Sequence, residues 1–428
     1  MFILYDLVFL LISLVHLPVY LFRRKFHAGF LSRLGFLPEE LKLNRPIWIH
    51  AVSVGEAVAI RGLIEKIKIA HPDKNLVIST VTSTGNKIAK SLASERDFVT
   101  YLPLDFSFIV KRVISSIQPS LFVIAETEIW PNLITFLYRR NVPIVLINGR
   151  ISDKSFKGYR LLKPFLRPVL NKVSLFCVQT STDKKRLLSL GVEENKIQVS
   201  GNMKFDNTLS FQEKAAFQAG PAAQLLKLGP QEKLLVAGST HAQEEEGILA
   251  VYKNLRKEFP GLRLLFAPRH PERSANIEKL VLKSGFNPLL ISNLSSDPDK
   301  LKPQAVFILD TIGQLLSFYI LADVVFIGGS LVKKGGHNIL EPAALGKPVI
   351  FGPYMFNFRD IANSFLKAKA AIMVEDFRGL EVNIRELLND PLKVKRLCGQ
   401  AMEIILQHSG ATRKNLEYIN NFIEQQPG

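Results

Sequence analysis

Short apolar runs rich in β-branched residues alternate with helical patterns along most of this chain, and that alternation leaves few folds open. In the front half the runs are IWIHAV (47–52), LVISTVTS (76–83), FVTYLPL (98–104), LFVIAE (121–126), PIVLING (143–149) and LFCVQ (175–179), and IQVSGNMKFD (197–206) closes the series. Between the first two, Ile60, Leu63, Ile64 and Ile67 recur on one helical face. The pattern restarts with KLLVAGST (233–240), RLLFAPRH (263–270), AVFILD (305–310), DVVFIGGS (323–330), PVIFGP (348–353) and AIMVED (371–376). Runs that are apolar throughout belong to strands covered on both faces, and strands separated by helices pair in parallel. The expectation is an α/β chain with two doubly wound, Rossmann-like domains. The reading divides it into an N-terminal segment 1–22, a first domain 23–208, a linker 209–225 marked by AGPAA (219–223), and a second domain 226–428 with C-terminal helices. Ligands of such sheets bind beyond the carboxyl ends of the strands, so two facing sheets would place a site in the cleft between them.

A chain of 428 residues with 47% hydrophobic content can bury two cores. Its two cysteines, Cys177 and Cys398, make neither a disulfide framework nor a metal spacing, which suits a reducing compartment. The formal charge of +17 is uneven. Residues 1–206 hold 29 Lys+Arg against 16 Asp+Glu, a net of +13, and the rest 26 against 22, a net of +4. The front half therefore prefers an anionic partner, nucleic acid or an anionic lipid surface. MFILYDLVFLLISLVHLPVYLF followed by RRK selects the lipid: the stretch is long enough for a membrane-anchor helix, and its charge comes after it, the reverse of a signal peptide. Positive charge on that side puts the remainder in the cytoplasm. Asp6, His16 and Pro18 leave open whether the helix spans the bilayer or embeds in one leaflet. In FKGYRLLKPFLRPVLNKV (156–173), Tyr159, Leu162, Phe165, Leu166 and Val169 share a face amid basic residues, the pattern of a helix lying on a membrane or of a core helix. Aromatic platforms for nucleic acid are missing, so none is expected as a partner.

Polar clusters follow the strands. SVGE puts Glu56 at a helix start where a phosphate loop would carry more glycines. AETEIWPN carries Glu126 and Glu128, either of which could instead cap a helix, and NMKFD carries Lys204. In GGSLVKKGGHNILEPAALGKPVIFGP, Gly328, Gly329, Gly335 and Gly336 let backbone approach a ligand, and His337 and Asn338 open a helix containing Leu340 and Glu341. Glycines before a helix start suit a phosphate. APRHPER sets Arg269 past a strand, suited to a phosphate or to a surface ion pair with Glu272. STHAQEEE reads as a helix cap with an acidic first turn, serving stability, and His241 is not expected to be a ligand.

Taken together, SVGE, ETEIWPN, NGRIS, GNMKFD, APRHPER and the long glycine segment resemble, in order and over nearly the whole chain, the 3-deoxy-D-manno-octulosonic acid (Kdo) transferases of lipopolysaccharide assembly. The resemblance implies a GT-B type fold, CMP-Kdo as donor substrate, no cofactor or metal, a lipid A precursor of the lipid IVA type as acceptor, and residence at the inner membrane. The first domain then binds acceptor and the second binds donor. Glu56 matches the family's general base, and Glu126 and Lys204 match its transition-state stabilising pair. Pro268 and Arg269, the segment Ile312, Gly313 and Gln314, and the segment Asn338, Ile339, Leu340 and Glu341 match its CMP-binding segments, with Gly335, Gly336 and His337 leading into the last. Gln314 stands where glutamate is expected, and Ile339 where proline is. Attack by a sugar hydroxyl on an anomeric carbon needs a carboxylate to take its proton, and a helix start is expected to keep Glu56 ionised at neutral pH. The rival readings are a nucleotide-sugar epimerase of the same architecture and a membrane-tethered lipid-binding scaffold.

Overall fold

The computed structural model describes residues 2–22, 29–38, 41, 43–206, 208–296 and 305–425. The chain divides into two compact units, Met1–Asp206 with His408–Gly428, and Asn207–Gln407.

The first unit holds a parallel sheet of β1 (Ile47–His50), β2 (Leu76–Thr80), β3 (Phe98–Tyr101), β4 (Leu121–Ala125), β5 (Ile144–Gly149), β6 (Leu175–Val178) and β7 (Ile197–Val199), in the order β3-β2-β1-β4-β5-β6-β7. Each expected apolar run became a strand, and the central ones, β1, β2, β4 and β5, are buried on both faces while the edge strands β3 and β7 are only partly covered. Trp48, Val77 and Phe122 enter one core, while Ile47, Ile49 and Val123 enter the other with Leu63, Ile64 and Ile67 of the helix Arg61–Ala70. The second unit repeats the theme with β8 (Lys233–Thr240), β9 (Leu262–Pro268), β10 (Asn287–Leu290), β11 (Ala305–Ile308), β12 (Val324–Ile327), β13 (Val349–Phe351) and β14 (Ile372–Met373), in the order β10-β11-β9-β8-β12-β13-β14. Strand order reverses direction between β1 and β4 in one sheet and between β8 and β12 in the other. A crevice opens at such switch points, beyond the carboxyl ends of the strands.

Several expectations are corrected. The stretch 209–225 is not a linker but lies within a helix, Thr208–Leu226, in which alanine, leucine, glutamine and lysine outweigh the single Pro221. The second unit ends at Gln407, and the last helix, Ala411–Glu424, returns to the first unit. There Ala411 and Ile419 are buried in the core containing Ile47 and Val123, and Asp206 accepts hydrogen bonds from the amides of Gly410 and Thr412. The basic segment 156–173 forms two helices, Asp153–Leu161 and Lys163–Leu170, meeting at Leu162. Its Leu166 and Val169 are buried in the domain core, so that face is turned inward, and Leu161 and Leu162 are left exposed.

The N-terminal helix runs Phe2–Phe22, but among the described residues no helix is long and apolar enough to cross a membrane, and a spanning anchor is not supported. One face of the helix docks on protein. The Tyr5 hydroxyl donates to Asp105 at 3.0 Å, Asp6 accepts from the Ser107 amide and from Asn132 Nδ2, and Phe9 meets Phe106 edge-on. The other face exposes Leu4, Leu7, Leu11, Leu14 and Val15. Arg23, Arg24 and Lys25 lie outside the described residues.

Candidate active site

In the first unit the switch point carries the carboxylates. Ser53 precedes a short helix, Val54–Ala59, with Glu56 in its first turn, and S-x-x-E is the pattern in which the glutamate reaches back over the helix start. Glu56 does so: its Oε2 accepts from the Val52 amide at 2.6 Å and its Oε1 from the Ser53 hydroxyl at 3.0 Å. These bonds fix where the carboxylate points, yet they do not keep it ionised as expected. Burial, then the charge of Glu126, pushes its pKa up to about 7, against the two hydrogen bonds. A carboxyl at that value is half ionised near neutral pH and is a stronger base than an ordinary glutamate.

Glu126 follows β4, the neighbour of β1, with a left-handed backbone (φ 59°) that a non-glycine residue adopts at a cost of about 1–3 kcal/mol. Its amide is held by the Ile147 carbonyl, and the next residue, Thr127, exchanges hydrogen bonds with the Arg150 backbone. Lys204 Nζ donates to Glu126 Oε1 at 3.1 Å, both side chains being about a quarter exposed. The loop bearing Lys204 is positioned by Asn148, whose Oδ1 accepts from the Met203 amide. The structure therefore brings Glu56, Glu126 and Lys204 together from three distant stretches. It adds Glu128, also pushed up to about 7 by burial and by Glu126.

In the second unit Pro268 ends β9 and the Arg269 amide donates to the Thr240 carbonyl at the end of β8, with the Arg269 side chain exposed. Asn338 Nδ2 donates to Glu341 Oε1 at 3.1 Å, and Asn338 Oδ1 accepts from the Leu340 amide. Burial raises the Glu341 carboxyl, while Asn338 and the charge of Arg269 oppose the rise, so Arg269 and Glu341 share one neighbourhood. Ile339 and Leu340 are buried and shape that turn from behind. Gly335 and Gly336 take positive φ, and a Cβ on either would collide with Asn357 or Met355. Ile312 is 88% exposed, Gly313 has φ +89°, and Gln314 accepts from the Thr311 hydroxyl at 2.7 Å. Among the described residues no hydrogen bond joins 312–314 to Arg269 or Glu341.

The first glycine pair is engaged within the protein itself. A Cβ on Gly328 would lie 2.4 Å from the Ser239 carbonyl oxygen, so this glycine permits β12 to lie close to the end of β8. The amides of Gly329, Ser330 and Leu331 donate to the buried carboxylate of Glu244 at 2.7, 3.1 and 3.1 Å. The chain's own anion fills that cradle. Sequence reading took Glu244 for a helix-capping acid, and the missing signal was an acidic residue whose partners lie 85–87 residues away. His241, set aside from the sequence, stacks on His337.

Comparison with known proteins follows this geometry. The family model described as 3-deoxy-D-manno-octulosonic-acid transferase (kdotransferase) matches residues 28–207. A 3-deoxy-D-manno-octulosonic acid transferase of Haemophilus influenzae is 34% identical over 380 residues, covering 89% of this chain and 87% of its own. One from Chlamydophila psittaci is 34% identical over 396 residues, covering 91% and 89%. Among solved structures, a UDP-GlcNAc 2-epimerase from Neisseria meningitidis bound to UDP-GlcNAc is 13% identical with a TM-score of 0.58, covering 85% of this chain and 99% of that one. A glycosyltransferase from Rickettsia africae is 15% identical with a TM-score of 0.55, covering 90% and 100%. The last two establish likeness of fold alone, which supports the GT-B type.

Proposed function

We propose, from the premise that this chain belongs to the 3-deoxy-D-manno-octulosonic acid (Kdo) transferase family of glycosyltransferases, that it moves Kdo from CMP-Kdo to a hydroxyl of a lipid A precursor of the lipid IVA type. The observation that carries the reading is Glu56, held at two hydrogen bonds with its pKa near 7 beside the Glu126–Lys204 pair. Glu56 takes the acceptor proton, and the freed oxygen attacks the anomeric carbon. The bond from that carbon to the phosphate oxygen breaks with its electron pair remaining on CMP. Lys204 and Glu126 act on the charge that appears on the sugar, and Arg269 with the turn at 338–341 receives the phosphate. Each proton and charge in this scheme has a side chain to take it, so it calls on neither cofactor nor metal.

The acceptor is a lipid, and the N-terminal helix supports a way to reach it. One face is docked through Tyr5 and Asp6, and the other offers Leu7, Leu11, Leu14 and Val15 to one leaflet of the inner membrane. Tyr5 stacks on Phe165, which places Leu161, Leu162 and the exposed Lys157 and Arg160 in the same unit near that helix. Mass analysis of products formed from CMP-Kdo and a lipid A precursor, with and without excess chelator, tests the reading. A precursor that gains no Kdo mass refutes it, and a chelator-sensitive gain refutes the metal-free scheme.

A further inference from the structure

At the switch point of the second sheet, His241 leaves the end of β8 and His337 ends the loop that follows β12. Their Nε2 atoms lie 2.9 Å apart and their rings are stacked, 8° from parallel. Two imidazoles at that distance hold one proton between them, one ring donating and the other accepting. Gly329 makes the approach possible, since a Cβ there would press on both rings at 3.1 and 3.2 Å.

The charges around the pair are one-sided. Arg269, His270, Arg273 and Lys334 all press on His241, and Arg269 and His270 also on His337. The carboxylates nearby are already engaged. Glu244 holds four backbone amides, including that of His241, Glu245 holds Arg273 at 2.8 and 3.2 Å, Glu272 lies beside His270, and Glu341 holds Asn338. Burial, and then the basic neighbours, push both rings down to about 4, so the pair is neutral at physiological pH. An anion placed here reverses that balance, because it favours the charged ring.

We propose that His241 and His337 form a proton-accepting subsite for the phosphate of the donor, and that the pair is drawn toward its protonated form, taking the proton from solvent, as the nucleotide binds. This rests on the reading of the second unit as the donor site. The proton count matches the reaction: the phosphate carries one charge while joined to the sugar and a second once that bond breaks. A pair that charges with its ligand holds the dianion through transfer, and is neutral again when CMP has left.

The test is calorimetry on the full chain at about pH 8, where a phosphate monoester with its second pKa near about 6 is already a dianion. CMP is titrated in two buffers of different ionisation enthalpy, with cytidine as the ligand lacking phosphate. The wild type takes up a fraction of a proton per CMP, growing as the pH is lowered toward about 7, and none with cytidine. His337→Asn and His241→Asn, each checked for an unchanged far-ultraviolet spectrum, lose the uptake and bind CMP about tenfold more weakly, with cytidine affinity unchanged. CMP binding without proton uptake, uptake that persists in both variants, or equal competition by free Kdo overturns the subsite and leaves the donor-site reading standing. No CMP binding by the wild type overturns the donor-site reading and the subsite with it.

Discussion

Lys204 and Glu126, 78 residues apart in the chain, meet at 3.1 Å at the carboxyl edge of the first sheet. The lysine engages one oxygen of a carboxylate whose charge is the second-largest cause of the raised pKa of Glu56. Glu126→Gln removes that charge, and the pKa of Glu56 falls below about 7. The acidic limb of the pH–rate profile then moves to lower pH, along with a loss of rate. A limb that stays in place shows that Glu126 does not act on the base.

For the wild type the sign follows from the role proposed for Glu56 as base. The ionised form is active, so kcat/KM rises with pH and levels off above about 7, well above the range of an ordinary glutamate. A profile already flat by pH 5 contradicts the raised value.

Glu56→Gln keeps the shape of the side chain but has no proton-accepting carboxylate. Turnover falls on the order of 10²–10⁴-fold while CMP affinity is retained. Wild-type turnover in this variant would remove Glu56 from the mechanism.

Arg269→Ala removes the guanidinium proposed to receive the donor phosphate, and CMP binding measured by calorimetry weakens roughly ten- to a hundredfold. Unchanged affinity would mean that the guanidinium faces solvent and not the phosphate.

The N-terminal helix makes two separable predictions. Tyr5→Phe deletes the bond to buried Asp105, costing about 0.5–1.5 kcal/mol, read as a fall in the melting temperature of the first unit. Leu11→Asp, on the exposed face, leaves melting unchanged and lowers co-sedimentation with anionic vesicles. If Leu11→Asp alters melting instead, that face is packed on protein.

The strands were legible because burial on both faces writes an unbroken apolar run, as in LFVIA of β4, and such a run needs no knowledge of its partners. Glu56 was legible for a similar reason, since S-x-x-E is a local pattern. The altered pKa was not, because it comes from burial and from Glu126, seventy residues on. Glu244 was legible only in part: it does sit in the first turn of its helix and takes the His241 amide, but its bonds to Gly329, Ser330 and Leu331 depend on a glycine loop that arrives from the other half of the sheet. The helix Thr208–Leu226 was hidden by AGPAA, where a proline outweighed the helix-forming residues around it.

The returning C-terminal helix also sets an order of events on the ribosome. The first unit is nearly all synthesised by Asp206, but the apolar surface that receives Ala411 and Ile419 waits through the whole second unit for its cover. A nascent chain in that interval presents the flank of Ile47, Val123 and Cys177 as a sticky surface, the condition under which chaperones engage. A stop codon just after Gln407 would remove no residue of the second unit. Its damage would fall on the opposite end of the gene product, the unit that carries Glu56.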